Sequence, residues 1–131
     1  HANSAEKALL RLENMIARVS TNINIKSIRQ DLGSAVDIIV QLSRLEDGSR
    51  KTMEVLEVID YDYDEDKYEL NPLFKFKRTG KKEIKEKVDG EMKTKSIVQG
   101  KFISLGNKPS FLEEFQMQGI DLDEEIFEKN K

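Results

Sequence analysis

The chain has 131 residues, the size of a single domain, and a chain of this length can bury enough surface to fold without a metal or a disulfide. Its 22 basic and 25 acidic residues give a net charge of −3, which argues against a protein that coats nucleic acid through overall charge. The absence of cysteine excludes disulfides and thiolate sites, and the single histidine, His1, excludes a metal centre built from several histidines.

Two helices are predicted in residues 1–34. Ser4 is a suitable N-cap for the first helix, which should run for about four turns. Its apolar residues recur three and four positions apart, at Leu9, Leu12, Ile16 and Val19. The second helix is shorter, with Asn24 as its N-cap and Gly33 as its C-terminal stop.

Residues 35–105 are predicted to form a β-rich subdomain, an antiparallel meander of about four strands. The β-branched residues and the alternation of Val40 and Leu42 with Gln41 and Ser43 indicate the first strand. The predicted strands, in chain order, are residues 35–45, 51–61, 68–77 and 98–105. Pro72 lacks a backbone donor, so the third strand should lie at a sheet edge or carry a bulge there.

Residues 79–96 form a Lys-rich loop in this prediction, either mobile or the tip of an extended hairpin. The wider segment 75–101 holds ten basic and four acidic residues, so it carries a net charge of +6. Such a segment can be a solvated loop, or can contact a protein partner, nucleic acid or lipid headgroups. No aromatic residue lies between Lys77 and Lys101 to stack on bases, which weakens the case for single-stranded nucleic acid. No direct nucleic-acid partner is expected.

Residues 106–131 are predicted to be a C-terminal helical segment. Pro109 should start a helix that Gly119 ends, and a short turn with Ile126 and Phe127 should follow. The fold class is therefore α+β, with N-terminal helices, a meander of strands and C-terminal helices.

Several kinds of site and segment are missing from the sequence. Neither G-x-x-x-x-G-K-[ST] nor G-x-G-x-x-G occurs, so the chain does not hold its own phosphate-binding loop. Counted from Asp60, the acidic stretch 60–66 places Glu65 and Asn71 at the sixth and twelfth positions, where a calcium loop needs glycine and glutamate. The stretch therefore indicates a turn, and no metal site is predicted. Apolar runs such as residues 38–40 are far shorter than the ~20 residues that span a bilayer, and no secretory leader opens the chain. We therefore expect a cytoplasmic protein without membrane insertion.

Two stretches show a family resemblance. Residues 1–15, HANSAEKALLRLENM, resemble the end of the His box of type II and type IV secretion ATPases and the helix after it. Residues 28–30 and 35–51 resemble the CpaF-like branch, the motors of Flp/Tad pili and related secretion systems. The C-terminal matches are Gly100-Lys101-Phe102, Gly106, Pro109, Phe111-Leu112, Gly119-Ile120 and Ile126-Phe127. The resemblance covers nearly the whole chain except the Lys-rich segment, which departs from what we expect of the family.

The resemblance implies that the chain is the C-terminal part of a RecA-like P-loop ATPase domain whose P-loop half lies upstream. The complete protein would bind ATP with Mg²⁺ and act as a homo-hexamer at the inner face of the cell membrane. There it would work with secretion or pilus platform proteins to drive pilus assembly or secretion. The fragment alone should be inactive.

Three residues are candidates for the nucleotide site, and only His1 matches a named catalytic motif of the family that the chain resembles. The resemblance places His1 near the nucleotide γ-phosphate as a catalytic residue, where an imidazole can stabilise transferring phosphoryl charge. Arg44 and Arg50 flank the predicted hairpin turn and are nucleotide-binding candidates, since they could reach the phosphates of a neighbouring subunit. Two alternatives stay open: a stand-alone protein-interaction module with a basic docking loop, and a fragment of a conjugative DNA-transfer motor.

Overall fold

Four antiparallel strands and two N-terminal helices make up most of the computed structural model, which describes residues 1–130. The helices are α1 (Ala5–Val19), α2 (Ile25–Ala35) and α3 (Leu112–Met117), and a short 3-10 helix spans Glu124–Phe127. The strands are β1 (Ile38–Arg44), β2 (Arg50–Asp62), β3 (Lys67–Val88) and β4 (Glu91–Ser104), in the sheet order β1-β2-β3-β4. The α+β class and the four-stranded meander are confirmed; position 131 of the predicted segment 106–131 lies outside the described residues.

Both N-terminal helices begin at the predicted caps. The Ser4 hydroxyl accepts a hydrogen bond from the Lys7 backbone N–H at 3.1 Å, and the Asn24 side chain accepts one from Lys26 N–H at 2.9 Å. The buried stripe of α1, however, consists of Ala5, Leu9 and Glu13. Val19 is 83% exposed, so much of the predicted apolar face of α1 is uncovered.

Gly33 does not end α2, and that prediction was wrong. The helix continues to Ala35, with Gly33 buried inside it. A Cβ added at Gly33 would lie 2.8 Å from Cβ of Tyr61 on β2. Glycine is needed here because the helix backbone approaches the strand too closely for a side chain.

Strands β3 and β4 are much longer than predicted. The third strand extends beyond residue 77 to Val88, and β4 begins at Glu91 rather than at residue 98. Of the two alternatives predicted for residues 79–96, a mobile loop or the tip of an extended hairpin, the structure shows the hairpin. Asp89 and Gly90 at its tip have φ of 51° and 83°, the pair of positive values that a tight hairpin turn requires.

Pro72 lies at a β-bulge, and it has no partner residue on the β4 side of its strand. The register between β2 and β3 shifts between Val55 and Leu56, and Leu56 faces Pro72. Pairing between β3 and β4 begins only at Phe74, opposite Ser104. Proline thus occupies a place where the ladder is interrupted, as its missing N–H demands.

The two faces of the sheet are covered by different parts of the chain. Glu54 binds the start of α1, whereas Glu57 binds Ser110 in the C-terminal segment. Residues three apart on a regular strand point to opposite faces, so α1 and α2 cover one face and the C-terminal segment covers the other. On the second face Phe74 packs against Phe127, with ring centroids 5.8 Å apart.

Candidate functional site

The first four residues, the N-terminal segment, are fixed on the sheet. The Ala2 carbonyl accepts a hydrogen bond from Nε2 of Gln41 at 2.5 Å, and the Ala5 N–H donates to Oε1 of Glu54 at 2.5 Å. Gln41 and Glu54 face each other across β1 and β2. One cross-strand pair of polar side chains therefore holds the chain where it enters α1.

His1 lies at the outer end of this segment. Its carbonyl accepts a hydrogen bond from Nη1 of Arg11 at 2.8 Å, and the residue is exposed. The backbone before α1 is thus held at both ends, while the imidazole remains accessible. An exposed imidazole on a fixed backbone can donate a hydrogen bond to an anionic group presented from outside this chain.

Arg44 and Arg50 face each other at the end of the β1–β2 hairpin. They are a cross-strand pair and both are exposed. Within residues 1–130 neither side chain forms an ion pair. Like charges placed directly opposite each other destabilise a sheet slightly, so an anion between the two guanidinium groups would relieve the repulsion.

A cleft of about 460 Å³ lies beside Arg44, between the β1–β2 turn and β4. Its lining includes Lys95 and the carboxylate of Asp47. Asp47 accepts hydrogen bonds from the Ser49 side chain and from the N–H of Ser49 and Val98, which lower its pKa to about 2. Because this carboxylate already accepts three hydrogen bonds from within the chain, Arg44 and Lys95 remain as cationic groups available to a ligand anion.

His1 is held near the β1–β2 hairpin that carries Arg44 and Arg50, but the three residues do not line one pocket. The anchor of the N-terminal segment, Gln41, precedes Arg44 by three residues, about 10 Å along a strand. His1 is not among the residues that line the cleft beside Arg44. Any shared ligand would have to bridge the two places.

A charged network lies on the helix-covered side, near a second cavity of about 460 Å³. The guanidinium of Arg29 donates to both oxygens of Glu13, at 3.1 and 3.3 Å, and to both oxygens of Asp66, at 2.8 and 3.0 Å. The Tyr68 hydroxyl donates to Glu13 at 2.7 Å, and the Tyr61 hydroxyl donates to Asp66. The network thus joins α1, α2 and the turn between β2 and β3.

The pKa values in this network are shifted by its own contacts. The hydrogen bonds from Tyr61 and Arg29 lower the pKa of Asp66, and burial together with Asp66 raises the pKa of Tyr61 to about 12. Hydrogen bonds to Glu13 and Asp66 raise the pKa of Arg29. Every charge has a partner, so the network stabilises the fold and offers no group poised for proton transfer.

Glu57 is a second buried carboxylate, only 2% exposed. It accepts hydrogen bonds from the Ser110 N–H at 2.9 and 3.0 Å, from the Ser110 hydroxyl, and from Nδ2 of Asn71 at 2.8 Å. Three donor groups, one of them shared between both oxygens, satisfy this carboxylate, which ties the C-terminal segment to β2.

Sequence reasoning missed the anchoring groups Gln41, Glu54, Glu13 and Glu57. The alternation in β1 is real, yet its polar residue is the buried one, since Gln41 is 8% exposed and Val40 is 50% exposed. The only available signal was a polar residue inside an apolar strand or helix stripe, and that signal does not identify a partner.

Two further observations concern metals and membranes. Among residues 1–130, no group of three or more potential ligand side chains is arranged to hold a metal ion. No helix in the same range is both long and apolar enough to cross a bilayer.

Comparison with known proteins adds no family. No protein-family model matches this chain, and no curated protein matches it in sequence. The likeness to secretion ATPases therefore depends on the residues and motifs quoted above.

Proposed function

We propose that this chain is the C-terminal part of a CpaF-like secretion or pilus-assembly ATPase, a fragment of its RecA-like domain. In the complete protein it would help convert ATP hydrolysis into pilus assembly or protein secretion. The phosphate-binding loop would come from the upstream half, because phosphate cradling needs backbone N–H groups in a loop that this sequence lacks.

The anchoring of the N-terminal segment carries the proposal. Gln41 and Glu54 hold the backbone on either side of Ser4, so the residue that resembles the His-box histidine has a defined position relative to the sheet. A histidine that senses or stabilises a γ-phosphate needs such positioning, because catalytic hydrogen bonds depend on placement to within a fraction of an ångström.

Exposed apolar side chains support the proposal that this chain belongs to a larger domain. β1 is an edge strand of the sheet, and Val40 and Leu42 on it are largely exposed. Val19 of α1 is exposed as well. Exposed apolar groups on an edge strand and a helix are costly in water, and further strands of a RecA-like domain would cover them.

The proposal includes ligands and partners. The complete protein would bind ATP with Mg²⁺, form a homo-hexamer and work at the cytoplasmic face with inner-membrane platform proteins. His1 would contact the γ-phosphate region, while Arg44 and Arg50 would donate to phosphates bound by a neighbouring subunit.

The first test is the coding sequence upstream of His1, where a P-loop and a Walker B acid are expected. In the complete protein, His1→Gln should then lower kcat about 100-fold with little change in KM, since only transition-state stabilisation is lost. Arg18→Ala, an exposed position on α1, is the matched control and should leave kcat unchanged. An upstream frame without a P-loop, or an unaltered kcat in His1→Gln, would contradict the proposal.

The projecting β3–β4 hairpin favours a second candidate, a protein-interaction module. Reversing the charges of Lys81, Lys82, Lys85 and Lys87 distinguishes the two. A module should lose its partner in this variant, whereas hydrolysis by a motor should barely change.

A further inference from the structure

The end of the β3–β4 hairpin projects from the sheet as a two-stranded ribbon, defined here as residues 82–97. Its strands are paired from Lys82 opposite Ile97 to Val88 opposite Glu91, a length of about 20 Å. At its base the N–H of Val98 donates to Asp47 at 2.8 Å, and Nζ of Lys81 lies 3.3 Å from Glu46. Beyond this base, most ribbon side chains are exposed.

The ribbon has no neighbouring strand on its β3 side, because β2 pairs with β3 only as far as Lys75. A two-stranded ribbon is marginally stable by itself in water. An element of this kind gains stability when one of its faces is covered by another molecule.

The two faces of the ribbon differ. One face combines three apolar residues with three lysines and two acids: Ile84, Val88, Ile97, Lys82, Lys93, Lys95, Glu86 and Glu91. The opposite face has no β-branched aliphatic residue beyond the base. Asp89 and Glu91 make the tip acidic, so the ribbon would present negative charge first to a polyanion such as DNA or an anionic membrane. The first of these faces, the basic apolar face, suits a protein surface that is both apolar and acidic.

This chain has such a surface at its C-terminal end. Three large apolar residues are exposed there, Met117, Ile120 and Ile126. Among them lie Asp121, Asp123, Glu124 and Glu125, which border one cleft together with Lys108. Lys108 Nζ lies 3.3 Å from the Glu124 carboxylate, and within residues 1–130 the other three acids form no ion pair. The set of the three apolar and four acidic residues, the C-terminal surface, offers apolar contacts and negative charge together.

We propose that the basic apolar face of the ribbon docks onto the C-terminal surface of a second copy of this chain. Because the two surfaces are different parts of the protein, each copy would present a ribbon to one neighbour and a C-terminal surface to the other. The pairwise contact does not depend on the proposed motor function, and it can be measured without nucleotide.

The test compares matched charge reversals in the 131-residue chain by sedimentation velocity at low salt and rising protein concentration. The ribbon variant is Lys82→Glu with Lys93→Glu and Lys95→Glu. The control, Lys7→Glu with Lys51→Glu and Lys67→Glu, changes net charge equally outside both surfaces. Self-association should weaken about tenfold or more in the ribbon variant and much less in the control. A wild-type chain that stays monomeric, or equal weakening in both variants, would overturn the proposal.

Charge exchange gives the sharper result. A chain with Asp123→Lys, Glu124→Lys and Glu125→Lys should also associate weakly, and adding these changes to the ribbon variant should restore association. Far-ultraviolet circular dichroism and urea midpoints verify that each variant is folded. Failure of this rescue would overturn the proposal, as would tighter binding of the ribbon to DNA or anionic vesicles than to the C-terminal surface. Loss of ATP hydrolysis in the complete protein would instead bear only on the proposed function.

Discussion

The same two strands support two regions that are stabilised in different ways. In the body of the protein, residues 1–81 and 98–130, β3 lies between β2 and β4 and packs Leu73 into the core. In the ribbon, the continuation of β3 has only β4 beside it, and most side chains on both faces are exposed. The stability of the body comes from buried apolar residues and charged networks, whereas the stability of the ribbon comes from cross-strand pairs and a tight turn.

This difference shows how one strand can combine a stable half with a labile one. A buried carboxylate such as Glu13 has fixed partners, so its loss leaves polar groups without compensation. A ribbon carboxylate such as Glu83 is exposed and keeps its hydration in every state. The same type of substitution should therefore lower the unfolding free energy by different amounts in the body and in the ribbon.

The largest effect is expected for the pair Glu13→Ala and Glu83→Ala. Removing Glu13, which is 3% exposed, leaves the Tyr68 hydroxyl and part of the Arg29 guanidinium unpaired, which should cost about 3 kcal/mol of unfolding free energy. Glu83→Ala should change it by less than about 0.5 kcal/mol. Urea unfolding measures both values. Similar losses in the two variants would show that the network does not stabilise the body as described.

A smaller contrast is expected for two glycines. Gly33→Ala places a Cβ 2.8 Å from that of Tyr61 and should destabilise by about 1–2 kcal/mol, although alanine normally favours a helix. Gly80→Ala, near the ribbon base, meets no atom within 4 Å and should be neutral or slightly stabilising. Thermal unfolding of the two variants distinguishes them. A stabilised Gly33→Ala protein would mean that the helix and β2 are less closely packed than they are here.

The smallest effect concerns pH at the base of the ribbon. The pKa of Asp47 is about 2 when folded and 3.8 ordinarily, so its contribution to stability is complete above about pH 4 and is lost as pH falls through 2. Asp47→Asn removes one acceptor for the Val98 N–H and should weaken the base of the ribbon at pH 6. The difference between variant and wild type should shrink between pH 4 and pH 2. Hydrogen exchange of the Val98 amide measures this difference. A difference that stays constant with pH would exclude the ionised Asp47 carboxylate as the cause of the weakening.

The sequence was informative wherever a local signal decides the structure. Ser4 and Asn24 cap helices because their side chains reach backbone groups two or three residues away. The strands of the body carry β-branched and aromatic residues, which identified the meander. The ribbon lacks that signal, since backbone pairing and the turn at Asp89 and Gly90 form it without apolar alternation.

The candidate site was less predictable than the fold. The likeness of residues 1–15 to a His box drew attention to His1, but Gln41 and Glu54, which hold the neighbouring backbone at Ala2 and Ala5, are far from it in sequence. Whether a polar residue in a strand is solvated or buried against a distant backbone carbonyl depends on tertiary packing. The burial of Glu13 and Glu57 was unpredictable for the same reason, because their partners lie on other elements.

Native-state hydrogen exchange along β3 and β4 tests most directly whether the ribbon is independent of the body. We predict that amides donating across the ladder between Phe74 and Arg78 exchange only on global unfolding. Those between Lys82 and Val88 should exchange at least about 100-fold faster, through local opening of the ribbon. Equal protection along both parts of the strand would contradict this account, because the ribbon would then be stabilised as part of the body.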